Sequence, residues 1–132
     1  MLECMIIGDS IAVGTKVHLS KCEVVAESGI NSKDYNYKFG KANTDARYVI
    51  ISLGSNDYRN IRTKQELVHL RSKIVSDHVY WILPAIKPQV QEAVRQVAKD
   101  NNDTIIEIKH LQQDKVHPTA KGYKQIISEI KQ

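Results

Sequence analysis

Five short apolar runs, separated by segments of helical period, constrain this chain more than any other feature. They fall at residues 3–7, 22–26, 48–53, 78–83 and 104–108, are rich in Val and Ile with Tyr48, Tyr80 and Trp81 among them, and are flanked by turn residues. Runs of this length and composition favour strands over helices. Between them lie residues 11–17, residues 33–39, and a segment opened by Thr63-Lys64-Gln65-Glu66. That opening has capping-box form, with Leu67, Leu70 and Ile74 following on one face. Pro88 suits the first turn of a further helix whose stripe is Val90, Val94, Val97 and Ala98. A last helix, opened by Pro118, carries Tyr123, Ile126, Ile127 and Ile130 at helical spacing.

Strands alternating with helices imply βαβ units, and right-handed crossovers then cover both faces of the sheet. The expectation is an α/β fold: a three-layer α/β/α sandwich with a five-stranded, mostly parallel sheet, forming a single domain over residues 1–132. Sheets of this kind bind ligands outside the carboxyl ends of their strands. Functional residues should therefore lie after strands one, two and three, and after strand five.

Composition excludes several classes. The net charge is +4, but lysines and arginines alternate with acids and no basic run is interleaved with aromatics, so no nucleic-acid partner is expected. No stretch approaches the ~20 apolar residues that span a bilayer, so no membrane insertion is expected. The first residues lack a signal peptide's basic and apolar regions, which makes a cytoplasmic location the expectation. Cys4 and Cys22 fall in or beside strands and read as buried free thiols, with a Cys4–Cys22 disulfide as the alternative. His18, His69, His78 and His110 show no metal-ligand spacing, and neither a metal nor another cofactor is expected.

Four segments occupy the places the sheet assigns to a site. Gly8-Asp9-Ser10-Ile11, with Gly14 beyond it, puts Ser10 where a strand gives way to a helix. A serine there presents its hydroxyl at the sheet edge and its N–H at a positive helix end, although Asp-Ser before a helix is also an ordinary cap. Ser28-Gly29-Ile30-Asn31-Ser32 follows strand two and offers backbone N–H groups. Gly54-Ser55-Asn56-Asp57 follows strand three; the Asn56 amide can donate to a developing oxyanion, while the same residue types also make plain turns. In Asp114-Lys115-Val116-His117-Pro118, a carboxylate three residues before a histidine can hold its Nδ1–H and leave Nε2 to accept a hydroxyl proton. Asp9 and Asp57 are expected to brace their turns by hydrogen bonds, and Asp57 is also the alternative orienter should Asp114 be misplaced.

In this order the four blocks resemble the SGNH, or GDSL-type, serine hydrolase superfamily, whose flavodoxin-like fold agrees with the element order. The resemblance runs from residue 8 to about residue 123 and is strongest in His117-Pro118-Thr119-Ala120-Lys121-Gly122-Tyr123. It implies Ser10 as nucleophile and oxyanion donor, His117 as general base and acid, and Asp114 as orienter. Asn56 would be a side-chain oxyanion donor, and Gly29 or Ser32 would supply a further N–H. The second block departs from the family pattern at this last point, since a glycine commonly ends it. The activity implied is hydrolysis of a short-chain, acetyl-like carboxylic ester through an acyl-enzyme, on a small ester or an acylated carbohydrate. A thioesterase, lysophospholipase or acyltransferase on the same triad, and a catalytically silent binding module, are the alternatives. The chain is short for the family between residues 57 and 63 and between 84 and 88, which predicts a shallow, open site.

Overall fold

The computed structural model describes residues 2–130. The elements run β1 (Leu2–Gly8), α1 (Ser10–His18), β2 (Glu23–Ala26), α2 (Ser32–Phe39), β3 (Asp45–Ser52), α3 (Thr63–Ser72), β4 (Val75–Ile82), α4 (Pro88–Asp100), β5 (Thr104–Ile106) and α5 (Ala120–Glu129). The strands form one sheet in the order β2-β1-β3-β4-β5, with every neighbouring pair parallel. The expected three-layer sandwich is what the chain forms.

Alternation along the strands divides the core. Met5, Ile7, Val49, Ile51, Val79 and Trp81 face the layer holding Tyr35, Leu67, Val94 and Val97, from α2, α3 and α4. Cys4, Ile6, Tyr48, Ile50, Tyr80 and Ile82 face Ile11, Ala12 and Ile126, from α1 and α5. Both faces of a parallel sheet must be covered, and a period of two fills them in turn. Trp81 is fully buried, and its indole N–H donates to Asp103 Oδ2 at 2.9 Å. Asp103 also takes Arg71 Nε at 2.8 Å, so a single carboxylate ties α3 and β4 to the turn before β5. No helix among the described residues is long and apolar enough to cross a membrane.

Three local expectations are corrected. Strands β3 and β4 begin at Asp45 and Val75, ahead of their apolar runs, because their first residues alternate between exposed and covered positions. The capping box of α3 does not form: its N-cap is Arg62, without a side-chain bond, and the Thr63 hydroxyl donates instead to Asp57 Oδ2 at 2.7 Å. At its other end α3 stops at Ser72, so Ile74 lies beyond it. Finally, Cys4 and Cys22 form a disulfide and are not free thiols. The register explains the pairing, since Met5 lies opposite Glu23 and the preceding residues Cys4 and Cys22 sit side by side, with Cα atoms 4.6 Å apart.

Candidate active site

The turn after β1 is shaped by glycine and aspartate. Gly8 has φ 136°, and a Cβ there would collide with the Ser52 carbonyl. The Asp9 N–H donates to that carbonyl at 2.9 Å. Asp9 is the N-cap of α1: its Oδ1 accepts from Ile11 N–H at 3.1 Å and from Ser52 Oγ at 2.9 Å. Ser10 is therefore the first helical residue and not the cap, which leaves its hydroxyl free to point outward. Its own N–H has no partner among the described residues, as expected in the first turn of a helix.

Asp9 is fully buried, and its Oδ2 finds no partner among the described residues. Burial pushes its carboxyl from 3.8 up to about 6, against the opposing bonds from Ser52 and the backbone. The folded protein thus holds this proton at pH values where the unfolded chain has lost it. Between about 4 and 6 that contribution to stability falls as pH rises, and above 6 the buried carboxylate costs on the order of 3 kcal/mol. Asp9→Asn should accordingly gain stability relative to wild type as pH rises from 4 to 8, read by denaturant melts across that range. A pH-independent difference between the two proteins would remove the account.

The partner of Ser10 comes from the other end of the chain. Ser10 Oγ lies 2.8 Å from His117 Nε2, and His117 Nδ1 lies 2.7 Å from Asp114 Oδ2. The loop bearing His117 is closed on itself: Gln112 N–H donates to His117 O at 2.8 Å, and Leu111 bridges to Pro118. Lys115 turns the chain through φ 60°, and the Asp114 Oδ1 accepts from Val116 and His117 N–H at 2.9 and 3.0 Å. Those backbone bonds, that of His117 foremost, and then the imidazole lower the Asp114 carboxyl to about 2. Asp114 is thus ionised throughout the physiological range and holds the ring by one nitrogen. Asp57, the alternative orienter, has no contact with His117.

Helices α1 and α5 approach closely enough for this because Gly14 has no Cβ. One placed there would collide with the Tyr123 hydroxyl. His18 stacks on the same tyrosine with ring centroids 5.3 Å apart.

The second and third blocks are locked together. Asn56 Nδ2 donates to Ile30 O at 3.1 Å, which uses one of its two amide hydrogens. Asp57 Oδ1 accepts from Ser32 N–H at 2.8 Å, and its Oδ2 accepts from Ser32 Oγ at 2.6 Å. The Ser32 N–H is therefore taken and cannot also serve an oxyanion. The Ile30 N–H is taken as well, by Glu27 O at 3.2 Å. Gly29, exposed and at φ 82°, keeps an N–H without a partner among the described residues, and so does Asn31, the N-cap of α2.

Sequence reasoning missed Lys87. Its Nζ donates to the carbonyls of Ser55 and Asp57 at 2.8 and 2.7 Å, clamping the loop that carries Asn56. The residue adopts φ 66°, although one preceding a proline is normally extended, and no apolar pattern marks it. Residues near 57–63 and 87–88 do frame a space, though one apart from the nucleophile. The loop after β3 and the first turn of α4 frame a groove of about 990 Å³, lined by Asp57, Tyr58, Arg59 and Lys87 among others. Ser10 and His117 are not among its lining residues; both are partly exposed beyond it.

No protein-family model matches the sequence, and no curated protein is similar to it. Solved structures are. A GDSL-like lipase from Bacteroides thetaiotaomicron shares 17% identity over 97% of this chain and 86% of its own, with a TM-score of 0.61. The C-terminal catalytic domain of Streptococcus pneumoniae peptidoglycan O-acetyltransferase A shares 17% over 96% and 88%, also at 0.61. An acetyl xylan esterase from Butyrivibrio proteoclasticus shares 13%, covering 96% of this chain and 61% of that one, at 0.58. At such identities the likeness is one of fold.

Proposed function

Starting from the fold it shares with the SGNH, or GDSL-type, hydrolases, we propose that this chain is a serine ester hydrolase acting through an acyl-enzyme. The observation that carries the reading is the hydrogen-bonded chain from Ser10 Oγ through His117 to Asp114, at 2.8 and 2.7 Å. As Ser10 Oγ attacks the ester carbonyl, its proton passes to His117 Nε2, and Asp114 stabilises the imidazolium that forms. The carbonyl oxygen becomes an oxyanion facing the N–H of Ser10, the remaining amide hydrogen of Asn56, and the N–H of Gly29 or of Asn31, two residues further on. Collapse of this intermediate expels the alcohol, which takes the proton from His117. Water activated by the same imidazole then releases the acid and restores Ser10.

A short acyl group, such as acetyl on a carbohydrate, is supported by the partial exposure of Ser10 and His117 and by the acetyl chemistry in the names of two structural neighbours. Transfer to an acceptor alcohol is the second reading, favoured by the O-acetyltransferase among those neighbours. A fluorophosphonate probe should label the wild-type protein at neutral pH; absence of labelling would leave a silent binding module. Acetyl and butyryl nitrophenyl esters should turn over faster than long-chain ones. Asp114→Asn should lower kcat by roughly 10²- to 10⁴-fold, since it loses the charge and fixes the wrong tautomer. Unchanged turnover in that variant would remove Asp114 from the mechanism.

A further inference from the structure

The groove beside Asn56 has no role in the chemistry above, yet its lining is chemically one-sided. Arg59, Arg62 and Lys64 stand exposed along it, and none makes an ion pair or side-chain hydrogen bond among the described residues. Some cations elsewhere are paired, as in Arg71 with Asp103 and Arg95 with Glu107. The one carboxylate in the groove wall is Asp57, whose oxygens are buried under three hydrogen bonds from Ser32 and Thr63. Two helices open onto the same space by their first turns. Neither the Arg62 cap of α3 nor the Lys87 cap of α4 satisfies a helix N–H with its side chain. Fixed positive ends and unpaired cations thus converge on one cavity, a setting that favours an anion. Tyr58, 61% exposed, adds a ring face suited to the apolar side of a sugar. Asp57 of its wall directly follows Asn56 in sequence, which puts the groove on the loop that carries the candidate oxyanion donor.

We infer that this groove is an anion-binding subsite, and that the substrate is an acylated carbohydrate bearing a carboxylate or phosphate away from the ester. The inference rests on the hydrolase reading for its substrate, though not for its binding. The wild-type chain would be assayed on O-acetylated oligogalacturonate, an acetylated sugar phosphate, O-acetylated xylo-oligosaccharide and nitrophenyl acetate. At least one anionic substrate should exceed the neutral oligosaccharide by about tenfold or more in kcat/KM, the scale of one charged hydrogen bond. Which of the two does so identifies the anion. The advantage should shrink as salt is raised.

The triple variant R59Q/R62Q/K64Q should lose that advantage through KM while keeping turnover of nitrophenyl acetate. Its melting temperature should match wild type, because all three side chains are exposed. Calorimetry on Ser10→Ala with unacetylated oligogalacturonate and with sugar phosphate reads the groove without catalysis. Binding of one of them, lost when the triple substitution is added, supports the subsite even if no fluorophosphonate labels Ser10, in which case only the hydrolase reading falls. Binding of neither, or a charge preference that survives R59Q/R62Q/K64Q, overturns it.

Discussion

Ser10→Ala is expected to abolish fluorophosphonate labelling and to lower ester turnover by roughly 10⁴-fold or more, with the folded state intact. Removing the hydroxyl deletes the attacking atom, and what remains is the oxyanion donors acting on a water molecule. Stability should hold because Asp9, not Ser10, caps α1, and alanine is favoured in the first turn. His117 is partly exposed and can be solvated once its bond to Oγ is gone. His117→Ala should lose about as much activity, and the double variant hardly more than either single one, because the two groups act on one proton. Kinetics on a soluble acetyl ester, beside thermal melts, checks all three proteins. Losses that multiply in the double variant would mean that Ser10 and His117 work independently.

Asp57→Ala should be the most destabilising exchange near the site, by roughly 3–5 kcal/mol, because it strips the acceptor from a buried set of donors. The carboxylate is 2% exposed and receives the Ser32 N–H and hydroxyl and the Thr63 hydroxyl. Without it the start of α2 and the start of α3 lose their common anchor, and Asn56 and the peptides after β2 lose their spacing. Activity should fall with stability. Asp57→Asn should recover most of both, since its amide oxygen still accepts from Ser32 N–H and the hydroxyls can rotate to accept from its NH₂. Denaturant unfolding read beside kcat separates this from a direct role. An Asp57→Ala protein as stable as wild type, yet as inactive as His117→Ala, would place Asp57 in the chemistry and not in the frame.

The architecture was legible because the strands carry their pattern openly. Val49, Ile50 and Ile51 are buried from both sides, as a continuous apolar run requires in a parallel sheet. Strand ends were not, since Asp45, Arg47, Val75, Asp77 and His78 are exposed and interrupt any apolar run. In the site, Ser10, Asn56, Asp114 and His117 could be named because each belongs to a short contiguous motif. Asp57 could be read as a brace of its own turn, but its partners Ser32 and Thr63 lie on two different helices and only the fold brings them in. Lys87 left no trace, because a lysine ahead of a helix is usually a solvated side chain, and its two carbonyl partners lie 30 and 32 residues away. The Cys4–Cys22 disulfide stood only as the alternative to free thiols, because the pairing follows from a parallel register that no local signal encodes.

Ser10 and His117 are 107 residues apart in a chain of 132. One stands at the head of the first helix and the other just before the last, and α1 meets α5 over Gly14 and Tyr123. The hydrogen bond between them is therefore among the longest-range contacts the topology permits, and closing so long a loop is among the last steps a chain completes. On the proposed hydrolase reading, activity needs both ends of the fold in place, and it should return on refolding no earlier than the packing of α5 against α1.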